Sequence, residues 1–164
     1  MNKAWVKAIL LLPFSVLVVV PSLVLYAAGY VWPGISLVFW ALGLPLALFG
    51  LSLAVCCMRL FATHGEGTPA PWDPPRKLVR TGPYRYVRNP MILSVLILLL
   101  AEAALLGSGV ILLLFLIFFL GKTLYFVLWE EKELEERFGE DYLRYKRHVP
   151  RWIPRTTAWD PETT

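Results

Sequence analysis

Residues 8–58 run for 51 positions without one Asp, Glu, Lys or Arg. A single membrane crossing needs about 20 apolar residues. The stretch therefore predicts two spanning helices joined by a short turn, and helices are the form in which a lipid-embedded backbone satisfies its own hydrogen bonds. The rest of the chain agrees. Charged residues make up 17% of its 164 positions, where a soluble domain carries roughly 25%. A cleaved signal sequence is the rival reading of the N-terminus. Its apolar core would span about 7–15 residues and end at a small-residue site. The first apolar run here is longer, which favours an uncleaved span.

Four spans are expected, at residues 6–30, 35–61, 90–106 and 110–129, with turns at Trp32-Pro33-Gly34 and Gly107-Ser108-Gly109. The third is short, so a tilted or partly buried hairpin is expected there. The two turns carry no charge. Lys3 and Lys7 flank the first span. Arg59, Arg76, Lys77, Arg80, Arg85 and Arg88 close the second span and fill the central loop, and a basic run from Lys132 to Arg155 follows the fourth. Positive residues stay on the cytoplasmic side, which places both termini and the central loop there. The expectation is an all-α, polytopic membrane bundle of about four helices with a C-terminal cytoplasmic amphipathic helix. Pro13, Pro21 and Pro45 lie inside apolar runs and predict kinks rather than chemistry, because lipid-embedded helices tolerate proline. The proline-rich stretch 68–75 reads as a stiff extended loop.

Net charge is +4, and the bases lie beside membrane segments. That points to topology and anionic lipid rather than nucleic acid. Cys56 and Cys57 are adjacent and form no disulfide framework; they read as small apolar side chains, with palmitoylation as a weaker alternative. His64 and His148 stand alone, so no metal site is expected, and there is no P-loop or GxGxxG.

Candidate chemistry concentrates at the membrane boundary. After Trp129, Leu134, Phe138, Tyr142, Tyr145 and Val149 step by four, four, three and four residues, an apolar stripe on a helical period. It serves either a surface-lying helix or the wall of a site. Glu130 and Glu131 emerge from the fourth span beside the arginine loop, and Glu130 is preferred as functional by position. Arg85 and Arg88 suit bidentate recognition of a carboxylate or phosphate, although anchoring explains many of the loop arginines. Tyr84 and Tyr86 suit stacking on a planar base or an interfacial belt. Asn89 before Pro90 is a natural cap for the third helix. Glu102 and Lys122 are the charges inside the last two spans and are functional candidates on that ground; the hairpin could bring them toward each other, or Lys122 could snorkel.

These residues resemble a known family. Lys77-Leu78-Val79, the run from Thr81 to Met91, Glu130-Glu131, Phe138-Gly139-Glu140-Asp141-Tyr142 with Tyr145, and Val149-Pro150-Arg151 look like isoprenylcysteine carboxyl methyltransferases, and related phospholipid methyltransferases share much of the pattern. The resemblance covers about residues 76–154. Residues 1–61 read as two N-terminal transmembrane helices from their hydrophobicity alone, and the resemblance implies residues 62–164 as a methyltransferase-like region. It further implies S-adenosylmethionine held at the cytoplasmic mouth and a lipophilic or lipidated acceptor entering from the bilayer. Cofactor contacts would fall on Arg76, Lys77, Leu78, Val79, Tyr84, Asn89, Pro90, Met91, Ile92, Glu130 and Glu131, with Arg88 and Glu130 as the catalytic pair and Lys122 and Phe126 toward substrate. Three departures stand out. The family commonly has Arg-His-Pro where this chain has Arg88-Asn89-Pro90, a tyrosine where it has Ile92, and in the prenylcysteine enzymes a base where it has Phe126. Asn89 cannot titrate and is no general base, and the departures argue against a prenylcysteine carboxylate. The alternatives are an NADPH-dependent membrane sterol or enone reductase and a non-catalytic membrane scaffold.

Overall fold

A computed structural model of the protein describes residues 13–34, 36–65 and 76–160. Among these the structure is helical and contains no strand. Helix α1 (Ser15–Ala27) opens with a π turn over Ser15–Val19. That turn precedes Pro21, which has no N–H to donate, so the irregular turn falls where the regular ladder is interrupted. Helix α2 (Leu37–Leu60) ends in a π turn over Phe61–Gly65. A 3-10 turn (Gly82–Arg85) leads into α3 (Pro90–Leu106). Helix α4 (Gly109–Tyr125) continues through a π turn (Phe126–Glu130) into α5 (Glu131–Phe138), and α6 (Glu140–His148) follows.

Two helical stretches, Leu37–Gly65 and Gly109–Phe138, are long and apolar enough to cross a membrane; Ser15–Ala27 and Pro90–Leu106 are shorter and apolar. The 17 residues of α3 rise about 25 Å at 1.5 Å each, somewhat less than the roughly 30 Å hydrocarbon core. The helix coincides with the expected third span. Large side chains such as Leu48, Ile117 and Leu120 point outward at about 60% exposure. Such a surface suits lipid and would be a liability in water. Lys3, Lys7, the beginning of the expected first span, Ile35 and the expected loop 68–75 lie outside the described residues.

Helices α2 and α3 pack through a seam of small residues. Gly43, Gly50 and Cys57, seven apart, are the buried positions of α2. A Cβ added at Gly43 would sit 2.6 Å from Leu105 Cγ, and one at Gly50 would sit 2.9 Å from Leu98 Cγ. In lipid, where apolar burial gives no drive to association, such close approach supplies the packing. At the uncharged end, Gly107 adopts the left-handed conformation with φ 60° and terminates α3. Ser108 then caps α4 by accepting from Ile111 N at 3.4 Å. The Tyr30 hydroxyl donates to Leu106 O, which brings the two expected turns to the same end.

At the charged end the stripe of residues 134–149 folds as two helices rather than one. Gly139 breaks it with φ 55° and ψ −132°, a conformation reserved for glycine. The stripe still packs as a unit. Tyr142, Tyr145 and Val149 form a buried cluster with Trp159, against Leu78, Leu134 and Phe138.

Candidate functional site at the charged end of the bundle

The central loop is held from three directions. Arg76 N and Lys77 N donate to Gly65 O at 2.8 and 3.3 Å, tying the loop to the end of α2. Tyr84, 6% exposed, sets its ring edge-on to Phe61 and packs with Cys57, Val79 and Met91. Its carbonyl accepts from the Tyr145 hydroxyl at 2.7 Å, which joins the loop to α6. The segment after α6 then folds back along the loop. Arg88 N donates to Pro150 O at 2.9 Å, Arg155 N to Tyr86 O at 3.0 Å and Trp159 N to Arg85 O at 3.0 Å. Arg85 closes the clasp: its Nε donates to Trp159 O at 2.5 Å, and its guanidinium lies 3.4 Å from Asp160.

Beneath this clasp lies a buried ion cluster centred on Glu131. The Glu131 carboxylate meets Arg88 at 3.1 Å, Lys146 at 3.0 Å and Arg151 at 2.6 Å, with Arg151 Nε donating at 2.7 Å. Lys146 also reaches Glu135 at 2.6 Å. Side chains of Arg88 and Glu131 are 9% and 6% exposed. Three cations meet two carboxylates, which leaves one positive charge in excess. Burial pushes the Glu131 carboxyl upward, but Lys146, Arg88 and Arg151 together outweigh it and hold the group below its ordinary range. Lys146 is correspondingly held above its ordinary range by its hydrogen bonds to Glu135 and Glu131. Arg88 also donates to the Tyr142 hydroxyl at 3.4 Å, and its Nε is buried without a partner. Buried donors are rarely left so.

Glu130 and Glu131 have parted company, and the π turn explains why. Glu131 N donates to Phe126 O, so residues five apart occupy the same face. A regular helix would carry the inward face from Phe126 to Glu130; the extra residue turns Glu131 inward instead. Such single π turns recur at functional sites. Glu130, half-buried just beyond the apolar part of the helix that ends at Trp129, makes no hydrogen bond or ion pair among the described residues. Burial pushes its carboxyl up to about 7; Lys122 pulls against this, while Glu133 and Glu131 add to it.

The remaining candidates fall into two groups. Leu78, Val79, Tyr84, Pro90 and Met91 are packing residues around the loop, and Ile92 is half-buried at the start of α3. Asn89 occupies the cap position of α3, but its side chain makes no cap; its carbonyl accepts from Leu93 N at 3.0 Å instead. Lys122 on α4 and Phe126 at the start of the π turn lie together, with Lys122 Nζ 5.7 Å from the Phe126 ring centre and 4.9 Å from that of Tyr125. The hairpin does not pair Lys122 with Glu102, which makes no ion pair among the described residues. Sequence reading gave no role to Lys146 or to Trp159, and it placed Arg151 within the resemblance without a function. Lys146 looked like one of several surface bases; only the fold shows it beside Glu131. No group of three or more His, Cys, Asp or Glu suited to a metal occurs among the described residues.

Comparison with known proteins now bears on this arrangement. A 63-residue stretch is 41% identical to an uncharacterised protein of Haemophilus influenzae, covering 38% of this chain and all of that protein. No solved structure matches. The family model for phospholipid methyltransferases matches residues 38–141, from the start of α2 through the arginine loop, the α3–α4 hairpin and the two glutamates to the beginning of α6. With well over half of its length matched, the chain belongs to the phospholipid methyltransferase family.

Proposed function

We propose that the protein is an integral membrane methyltransferase that moves a methyl group from S-adenosylmethionine to a lipophilic or amphiphilic acceptor. Family membership supports a methyltransferase in a membrane setting, and it favours this reading over an NADPH reductase or a scaffold. Residues 62–164 would form the methyltransferase unit, and residues 1–61 would add two spans. Both termini and the arginine loop would face the cytoplasm.

What supports the cofactor assignment is an unpartnered donor and an unpaired carboxylate at the same end of the bundle, Glu130 being the chain neighbour of the Glu131 that binds Arg88. Arg88 presents a buried, unpartnered Nε, and Glu130 presents a half-buried, unpaired carboxylate. A cofactor with an amino-acid end carries a carboxylate for the first and an ammonium for the second, and charge-assisted hydrogen bonds of this kind are among the stronger ones. Glu131 fits less well as an ammonium ligand, because Arg88, Lys146 and Arg151 already occupy it. Its part is to hold Arg88 in place. When bound, the cofactor supplies an electrophilic methyl on a sulfonium.

The chain's own contribution is positioning. The clasp over the arginine loop would shield the site from water, Arg88 and Glu130 would fix orientation, and a reaction between two held partners gains most from that. Asn89, which cannot titrate, supplies no base.

Calorimetric titration of the purified protein with S-adenosylhomocysteine tests this reading. Saturable binding is expected in the wild type, weakened at least tenfold in Glu130→Gln. Absence of binding by a folded wild-type protein would sink the proposal.

A further inference from the structure

The tail that returns after α6 carries an apolar step between two pinned arginines. Arg151 is bound to Glu131 at 2.6 Å. Further on, Arg155 N donates to Tyr86 O at 3.0 Å, and its guanidinium donates to His148 O at 3.0 Å. Between the two stand Trp152, Ile153 and Pro154. With both arginines held at the charged end, this short stretch reaches out from them by at most about 7 Å at its middle residue.

Trp152 gives the excursion its direction. Phe115, Phe119 and Phe126 share one face of the helix made by α4 and its π turn, and Phe115 and Phe119 stack at 6.5 Å. The Trp152 ring lies 5.4 Å from that of Phe119 and 5.6 Å from that of Phe126. Phe119 and Phe126 precede Glu130, the first acid after the apolar run, by about 16 and 6 Å along a helix axis. Helical side chains lean toward the N-terminus, here away from Glu130. The indole is therefore seated on the apolar side of the boundary. Its Nε1 is buried without a partner, whereas an indole at headgroup level keeps its N–H among acceptors.

Ile153 follows directly and is 81% exposed. A single exposed isoleucine is ordinary in a soluble protein; here the surface it adjoins gives it meaning. Leu120 and Val127, next in the chain to Phe119 and Phe126, are 60% and 45% exposed, so the aromatic face borders the outward apolar side of the helix. Pro154 has no N–H that lipid would leave unsatisfied.

We propose that Trp152, Ile153 and Pro154 form a re-entrant finger of the tail: Trp152 tethers it to the fourth helix, and Ile153 contacts the acyl chains around that helix. This goes beyond the methyltransferase reading and needs only that α4 lies in a bilayer. Lipid is then a structural partner of the clasp, which is held by ion pairs on one side and by the membrane on the other.

Spin-label accessibility tests the surroundings of the tip. Cys56→Ser removes the exposed thiol, and Cys57 is fully buried, so Ile153→Cys in that background takes one nitroxide in the full-length protein, reconstituted in phosphatidylcholine vesicles. Collisions with oxygen report acyl chains, and collisions with a neutral nickel chelate report water. Leu120→Cys is the lipid reference, and Thr157→Cys, exposed on the same tail, is the water reference. The label at 153 is expected to favour oxygen over nickel as at 120, and to meet nickel about tenfold less often than at 157, because polar solutes are kept out of hydrocarbon. Nickel collisions equal to those at 157 put the tip in water and overturn the proposal. Shielding from both reagents means that a second copy or another protein covers the tip, and overturns it as well. Trp152→Ala, added to the labelled protein, is expected to raise nickel collisions at 153 several-fold; unchanged collisions refute Trp152 as the tether.

Discussion

Replacing Glu131 by Gln removes one charge and almost no volume, and its consequence follows from the ion cluster. Glu131 is the shared counterion of Arg88, Lys146 and Arg151, at 3.1, 3.0 and 2.6 Å. Without it, Arg88 remains 9% exposed and Arg151 23% exposed with no carboxylate on either. Stripping one partner from a buried pair costs about 3–5 kcal/mol, since the surviving charge stays desolvated. The lower end applies here, because Lys146 keeps Glu135 and is 36% exposed. Glu135→Gln is the matched control; that carboxylate is 32% exposed, and partly exposed pairs contribute about 0–1 kcal/mol. Thermal unfolding in detergent should therefore separate the two variants clearly. Hydrogen exchange should locate the loss in residues 84–88 and 140–160, which the cluster holds together. The Glu131 carboxyl is held below its ordinary range, so its contribution is full above the unfolded-state value and fades as pH falls through the folded one. Glu131→Gln should lose that acid limb. A Glu131→Gln protein as stable as Glu135→Gln would refute the account of Glu131 as the hub.

Two further outcomes follow from the geometry. Gly43→Ala places a Cβ 2.6 Å from Leu105 Cγ and 3.1 Å from Leu105 N, and overpacking of this kind costs about 1–3 kcal/mol; Gly121→Ala, with nothing within 4 Å, should not destabilise, and thermal unfolding in detergent compares them. Glu130 has its carboxyl pushed up to about 7, so an ammonium-bearing ligand that needs the ionised form should bind more weakly as pH falls through that value. S-Adenosylhomocysteine affinity measured between pH 8 and 6 should drop in the wild type and stay flat in Glu130→Gln; a flat wild-type profile would remove Glu130 from the ligand.

The helices were legible in the sequence for a simple reason. Lipid compels an apolar run to close its own hydrogen bonds, so the third helix could be bounded at Pro90 and Leu106 from a proline, a run of aliphatic residues and a glycine. The stripe from Leu134 to Val149 was equally readable, because burial imposes its period on the sequence. Its division at Gly139 was not, since helical periodicity survives across a short break. The resemblance, carried by residues 76–154, pointed to the family that the match over residues 38–141 supports.

What the sequence by itself determined is the helical class, the apolar spans, the gathering of charge beside them and the neighbourhood of the arginine loop with the two glutamates. The tertiary structure decided which glutamate does what. One added residue in the π turn brings Glu131, rather than Glu130, under Phe126 and onto Arg88. The return of the tail then adds Arg151 to the cluster and Trp152 to the aromatic face. Neither outcome could be read along the chain. Periodicity records which residues are buried by their own helix, whereas a change of helical register and a long-range clasp are fixed only when separate segments compete for the same contacts.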